Sequence, residues 1–425
     1  MKRELLQIRG TMFPLSHMMK SFVQNGKLEV IDADNNRHVF GGKADGPHVV
    51  MRLTDKSLYR KLVFNPELNA GEAYTDGRMS FEEGTTLRDF LTLFSVNRLN
   101  IGNYPLQKAI RKVSMLFRGK QQSNKRGEAQ GNVAHHYDLG NEFYKLFLDK
   151  NMLYSCAYFH NDNETLEQAQ RNKLRLLAAK LDLKPGQRVL DIGCGWGDLA
   201  LYLASMENVS VVGVTLSKEQ QKLASQRAKD MGLDDRVEFR LQDYRELDEQ
   251  FDRIVSVGMF EHVGVSHYDE YFAKINDLMP DEGIAVIHSI GHMSPPGMAS
   301  TWMRKYIFPG AYSPALSEVF ESVEKNSLWC LDLEFLRVHY AKTLAHWERR
   351  FQENRAEVED MYDENFARMW EFYLISAEAM FRTGSQLVFH MQLSRKRDAT
   401  PLQRDYMIDT QRDYEKLEAE KKLVL

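Results

Sequence analysis

Cysteine is scarce in this chain. Three thiols in 425 residues, Cys156, Cys194 and Cys330, are too few for a disulfide framework, and their spacing fits no zinc site. The count suits a reducing compartment. Long apolar runs are also missing. No stretch reaches the roughly 18 residues of a membrane span. The basic start MKRELLQIRGTMF leads into no apolar segment of the kind a secretory signal carries. Excess charge of one sign is absent too, since the formal net charge is −4, which argues against a nucleic-acid partner. There is no internal repeat. A hydrophobic fraction of 43% supports a sizeable core and excludes global disorder. These absences predict a cytoplasmic protein that meets any lipid from the surface.

Residues 1–120 mix short apolar runs with turn signals. KLEVID and HVVMRL alternate as strands do, and LRDFLTLFSVN has helical periodicity, so a small α+β domain is expected. Next comes a basic segment in which Leu106, Ile110, Val113 and Phe117 share one helical face. Lys108, Arg111, Lys112, Arg118 and Lys120 add positive charge, either as a solvated linker helix or as a contact for anionic lipid. The polar stretch 121–131 is the expected linker. From residue 132 to 425 helical and strand patterns alternate, which predicts an α/β domain with a parallel sheet between helices. Residues 300–395 are expected to add a helical cover, and the last stretch, QRDYEKLEAEKKLVL, to form a charged helix. Ligands of such sheets bind at the carboxyl ends of the strands.

VLDIGCGWGDLA places a glycine turn between a strand and a helix, with Asp191 at the turn. Glycines there let a ligand approach the backbone closely. The spelling D-x-G-x-G-x-G differs from the dinucleotide G-x-G-x-x-G. It resembles the S-adenosylmethionine loop of class I methyltransferases, which assigns Asp191, Gly193, Cys194 and Gly195 to the cofactor. After the second strand, GVTLSKEQ offers Thr215, Leu216 and Gln220 in place of the usual acid. After the third, LQDYREL offers Asp243 and Tyr244 for an adenine. VSVGMFEHVG then ends a buried strand on Glu261, a carboxylate that is costly there unless something meets it.

HHYDLGNEFYKLFLD, MLYSCAYF, LDIGCGWG, GVTLSKEQ, SVGMFEHVG, IHSIG and KYIFPG occur in this order. Together they resemble the cyclopropane-fatty-acyl-phospholipid synthases and the mycolic acid cyclopropane synthases. The resemblance covers residues 132–395 strongly and 65–84 more loosely. It implies a Rossmann-like class I methyltransferase domain with a helical cover, plus a small N-terminal α+β lipid-binding domain that also serves dimerisation. It implies methyl transfer from S-adenosylmethionine to a cis double bond of an unsaturated phospholipid acyl chain. A carbocation would form and lose a proton to bound bicarbonate. Positions matching the bicarbonate cradle are Cys156 and Ile290 through their main chains, and Glu261, His288 and Tyr340 through their side chains. Tyr154 and Ser155 match contacts to the methionine part of the cofactor. The expected partners are membrane phospholipid, met peripherally at the inner face, and a second copy of the chain.

Aromatic residues around these motifs, Tyr137, Tyr154, Tyr158, Phe159, Phe260, Trp302, Tyr306 and Phe308, are candidates to line an acyl tunnel and steady a cation. The sequence departs from the family at Ala377, where a cysteine is frequent, and at Glu378, where the phospholipid enzymes have a small residue. Alkene methylation needs no protein nucleophile. The product is therefore a cyclopropane or, if the cation is quenched differently, a methyl branch, a methylene or a furan precursor.

Overall fold

The computed structural model describes residues 12–42, 44–116 and 139–421. The expected linker at 121–131 and Tyr137 lie outside the described residues. The chain divides into two compact units. The first takes Met1–Arg118, Met298–Ile307 and Leu344–Ser385, and the second takes Gly119–Gly297, Phe308–Thr343 and Gln386–Leu425. Two segments from the later half of the chain thus pack with the N-terminal part.

The first unit holds a four-stranded sheet of β1 (Asn25–Ile31), β2 (Arg37–Gly41), β3 (Ala44–Leu53) and β4 (Met79–Phe81), in the order β2-β1-β3-β4. β1 pairs antiparallel with β2 and parallel with β3. Leu28, Val30, Val49, Met51 and Leu53 are buried. Among the helices of this unit are Leu15–Phe22, Leu87–Asn103 and Glu364–Arg382. The last begins at Asp363, whose side chain accepts from the Phe366 N–H at 2.7 Å and so satisfies one open donor of the first turn.

The second unit is built on a seven-stranded sheet. Its strands are β5 (Arg188–Ile192), β6 (Ser210–Thr215), β7 (Val237–Leu241), β8 (Arg253–Val257), β9 (Ile284–His292), β10 (Trp329–Phe335) and β11 (Gln386–Ser394). The order is β10-β11-β9-β8-β5-β6-β7. β5 to β9 are parallel, while β11 runs antiparallel between β9 and β10. Successive residues alternate between two cores. Val189, Val211, Val255 and Val286 join one with Leu177 and Leu201, and Leu190, Val212, Ile254 and Ile287 join the other with Phe272 and Ile275. Both faces are therefore covered by helices, as the sequence pattern predicts.

The expected helical cover over 300–395 is corrected in part. Trp329–Phe335 and Gln386–Ser394 are strands. The run QLVFHMQLS does alternate, with Leu387, Phe389, Met391 and Leu393 on one face and Gln386, His390, Gln392 and Ser394 on the other, which is the strand period; its polar members are nonetheless almost all buried.

The chain order reverses between β5 and β8. β5 continues into β6 on one side and lies against β8 on the other, which opens a crevice beyond their carboxyl ends.

Candidate active site

The glycine turn lies at the floor of that crevice. Gly193 and Cys194 both donate their N–H groups to the Val214 carbonyl, at 2.9 and 3.1 Å, which fastens the turn to β6. Gly193, Gly195 and Gly197 all have positive φ. A Cβ on Gly197 would stand 2.6 Å from the Phe239 ring, so this position is closed to any side chain. A Cβ on Gly195 would meet nothing within 4 Å, which leaves the backbone open to a ligand there.

Two connected hollows meet at Gly193, Gly195, Gln220 and Val257. One is a cleft of about 870 Å³ lined by Thr215, Leu216, Asp243, Tyr244, Met259 and His262, among others. The other, of about 570 Å³, is lined by Tyr154, Ser155, Lys173, Asp191, Cys194 and Asp198, among others. All eleven residues assigned to the cofactor from sequence thus line one or both hollows. Thr215 Oγ1 donates to Gln220 Oε1 at 2.8 Å, which commits the amide oxygen and leaves the amide hydrogens to donate. The Asp243 carboxylate accepts from the Arg245 guanidinium at 2.9 and 2.6 Å, a partner the sequence did not suggest. Cys194 is buried and its thiol is pushed well up, so it is inert.

Asp191 is 2% exposed, and its Oδ2 has no hydrogen-bond partner among the described residues. Burial pushes its carboxyl up to about 7. The nearby Lys173 ammonium is equally buried and donates to Ser155 Oγ at 2.8 Å. Burial lowers Lys173 to about 8 against the pull of Asp149, Cys156, Asp198 and Asp191. Sequence reasoning missed this lysine. Its signal was available, because Gln170, Lys173, Leu177 and Lys180 recur at helical spacing on the buried side of the helix Leu166–Leu181.

The Glu261 carboxylate holds the main chain of β9. Its Oε1 accepts from the Ile290 N–H at 2.6 Å, and its own carbonyl accepts from the Tyr312 N–H at 2.9 Å. The main chain of Ile290, which the resemblance assigns to the bicarbonate cradle, thus gives its N–H to Glu261. Oε2 of Glu261 has no partner among the described residues, and burial raises the carboxyl to about 7. His288 follows from β9, with Nδ1 2.7 Å from His390 Nε2 on β11. Cys156 is fully buried, with its thiol 3.3 Å from the Ala157 carbonyl and driven well above its ordinary value. It has no nucleophilic character. Tyr340 is buried at the start of the helix His339–Glu353. Among the described residues no group of three or more His, Cys, Asp or Glu side chains is placed to hold a metal ion.

The aromatic candidates separate by location. Phe260 stacks on Tyr268 at 4.5 Å inside the core, and Tyr158 stacks on His339 at 4.6 Å. In the first unit, Trp302 lines an apolar cavity of about 890 Å³ with Met18, Phe22, Phe94, Phe372 and Met380, among others. The Tyr306 hydroxyl donates to Glu72 at 2.8 Å. Ala377 is buried, and Glu378 is paired with Arg88 and, at 2.8 Å, with Arg382.

A family model described as mycolic acid cyclopropane synthetase matches residues 124–391. The cyclopropane-fatty-acyl-phospholipid synthase of Escherichia coli K12 is 40% identical over 349 residues, 81% of this chain and 87% of that one. The tuberculostearic acid methyltransferase UfaA1 of Mycobacterium tuberculosis is 36% identical over 84% of this chain and 85% of its own length. Among solved structures, the mycolic acid cyclopropane synthase CmaA1, in complex with SAH and CTAB, superposes with a TM-score of 0.59 at 34% identity. That match covers 62% of this chain and 98% of CmaA1.

Proposed function

Since the chain belongs to the mycolic acid cyclopropane synthetase family, we propose that it moves a one-carbon unit from S-adenosylmethionine to the cis double bond of an unsaturated phospholipid acyl chain and closes a cyclopropane ring. The observation that carries this reading is a pair of buried carboxylates, one on β5 and one in the turn that follows its neighbour β8. Asp191 on β5 and Glu261 after β8 each keep one oxygen without a partner among the described residues. An open buried acceptor of this kind suits a cationic or hydrogen-donating ligand.

When bound, S-adenosylmethionine supplies an electrophilic methyl group on a sulfonium. The chain's own residues bind and orient. Gly193 and Gly195 admit close approach, Asp191 offers negative charge, and Gln220 donates to a ribose hydroxyl. Thr215 and Leu216 would lie with Gln220 at the ribose, Asp243 and Tyr244 would hold the adenine, and Tyr154 and Ser155 would border the methionine end, with Cys194 in the glycine turn beside them. Addition of the methyl carbon to the double bond, with the sulfur leaving as a neutral thioether, would put a cationic carbon on the acyl chain, and loss of one proton from that methyl would close the ring. Bicarbonate, when bound, supplies a small base. Glu261 would accept its hydroxyl hydrogen and His288 would donate to its oxygens, with Cys156, Ile290 and Tyr340 around it.

The first unit is the part we assign to the phospholipid surface. Its exposed Phe13, Phe64 and Leu99 and the helix Pro105–Leu116 support that assignment. The place of action is then the inner membrane face. Dimerisation belongs to the same reading and is read by sedimentation.

The test is mass spectrometry and proton NMR of lipid extracted after incubation with S-adenosylmethionine and vesicles of cis-monounsaturated phospholipid. A one-carbon gain with upfield cyclopropane protons is expected. A gain with surviving alkene protons or a saturated methyl branch would establish the second reading, which Ala377 and the likeness to a tuberculostearic acid methyltransferase favour. No gain with monoene or diene lipids would overturn both.

A further inference from the structure

The ring of His288 is met by a second histidine. His288 on β9 and His390 on β11 stand opposite one another in the antiparallel register, with Nδ1 of the first 2.7 Å from Nε2 of the second. Both rings are buried. Burial and the neighbouring cations Lys173 and Lys180 hold both well below the ordinary histidine range, so both are neutral. Two neutral imidazoles share a single hydrogen at such a contact, and one must donate while the other accepts.

The far nitrogen of His390 decides which. His390 Nδ1 is buried and has no partner among the described residues. Lys180 is among the charges that act on that ring, and its ammonium is paired with Glu334 at 2.7 Å and Asp332 at 3.5 Å. A hydrogen on Nδ1 would be a buried donor without an acceptor, on a ring that already feels the positive charge of Lys180. The hydrogen of His390 therefore sits on Nε2 and is donated to Nδ1 of His288. His288 then carries its own hydrogen on Nε2, on the far side of its ring.

We propose that His390 is a positioning residue that fixes His288 as the Nε2–H tautomer, so that a neutral imidazole presents a hydrogen-bond donor to an anionic base. This rests on the reading of His288 as a contact to bicarbonate. His390 lines neither hollow of the site. It acts through His288, as an outer partner sets the tautomer of an imidazole elsewhere.

The experiment begins with long-range nitrogen–proton NMR of the full chain labelled with 15N-histidine, using His288→Gln to assign the signals. The expected pattern for His288 is a protonated Nε2 and an unprotonated Nδ1. The reverse pattern would overturn the proposal. In the lipid assay, His390→Leu should lower kcat about tenfold to a hundredfold and leave S-adenosylmethionine affinity unchanged. His390→Gln, whose amide can donate to the same Nδ1, should restore kcat close to the original value. Unchanged kcat in His390→Leu would also overturn it. If His390→Leu fails to fold, the spectrum of the unaltered chain and the His390→Gln activity still decide. If the unaltered chain gives no lipid product, the functional reading fails while the spectrum tests the tautomer on its own.

Discussion

At the residue scale, the buried carboxylates divide the chemistry. Glu261 spends one oxygen on the Ile290 N–H and keeps the other open, so it orients what lies beside it. Glu261→Gln is expected to lower turnover about a hundredfold and leave S-adenosylmethionine affinity nearly unchanged, as read by steady-state rates and calorimetry. Removal of bicarbonate from the buffer should slow the original protein and leave the variant little affected. Asp191 gives a pH signature. Its folded carboxyl lies at about 7 against an ordinary 3.8, so the protonated form is favoured in the folded chain. The associated stability is complete below the ordinary value and is lost as pH rises through about 7. Affinity for the cationic cofactor should move the opposite way, rising as that carboxylate ionises. Asp149, also pushed to about 7, and Lys173, near 8, titrate with it, so the observed midpoint belongs to the group. Calorimetric titration across this range checks the sign, and Asp191→Asn should remove both the affinity and its pH dependence.

At the element scale, the turn after β5 and the late strand β11 are the vulnerable parts. Gly197 has φ +91°, and its Cβ position is filled by the Phe239 ring. Gly197→Ala is expected to cost roughly 2 kcal/mol or more, from strain and overpacking together. Phe389 is fully buried on β11, with its ring against Gly291 of β9. Phe389→Ala should cost ~3–5 kcal/mol. Denaturant titration measures both, and a loss under 1 kcal/mol at Phe389 would contradict the central place of β11. The C-terminal helix Asp405–Lys421 also does more than its charge pattern suggests. Its Glu418 is buried and accepts from Arg175 at 2.6 Å and from Tyr202 at 2.6 Å. Periodicity marks such a helix as solvated, because the arginine that neutralises the glutamate lies 243 residues away.

At the scale of the whole molecule, the first unit is discontinuous. The helix Glu364–Arg382 packs on Pro66–Thr75 and Leu87–Asn103, and the Tyr74 hydroxyl donates to Glu371 at 2.8 Å. Trp302 and Phe372 lie in the same unit. A fragment of residues 132–425, cut at the expected linker, should therefore expose these rings. It is expected to bind an apolar dye strongly and to melt well below the full chain. A fragment that melts like the full chain would show that the later segments stand without the N-terminal part.

The sequence by itself determined the parallel core of the second unit and the glycine turn. Nearly every helix and strand from Leu166 to His292 is legible from local periodicity, and the cofactor residues cluster at strand ends because that topology places them there. The tertiary structure alone decided which buried charges meet. Lys173 at Ser155, Glu261 at the Ile290 N–H, and His288 at His390 are contacts between residues 18, 29 and 102 positions apart. Local pattern reports whether a position is inside or outside, but a buried polar group is satisfied by whatever the fold brings within hydrogen-bond reach. It likewise decided that β11, far along the chain and buried with its polar residues, completes the sheet. Its period is present in the sequence, but its partners are chosen only when the sheet assembles.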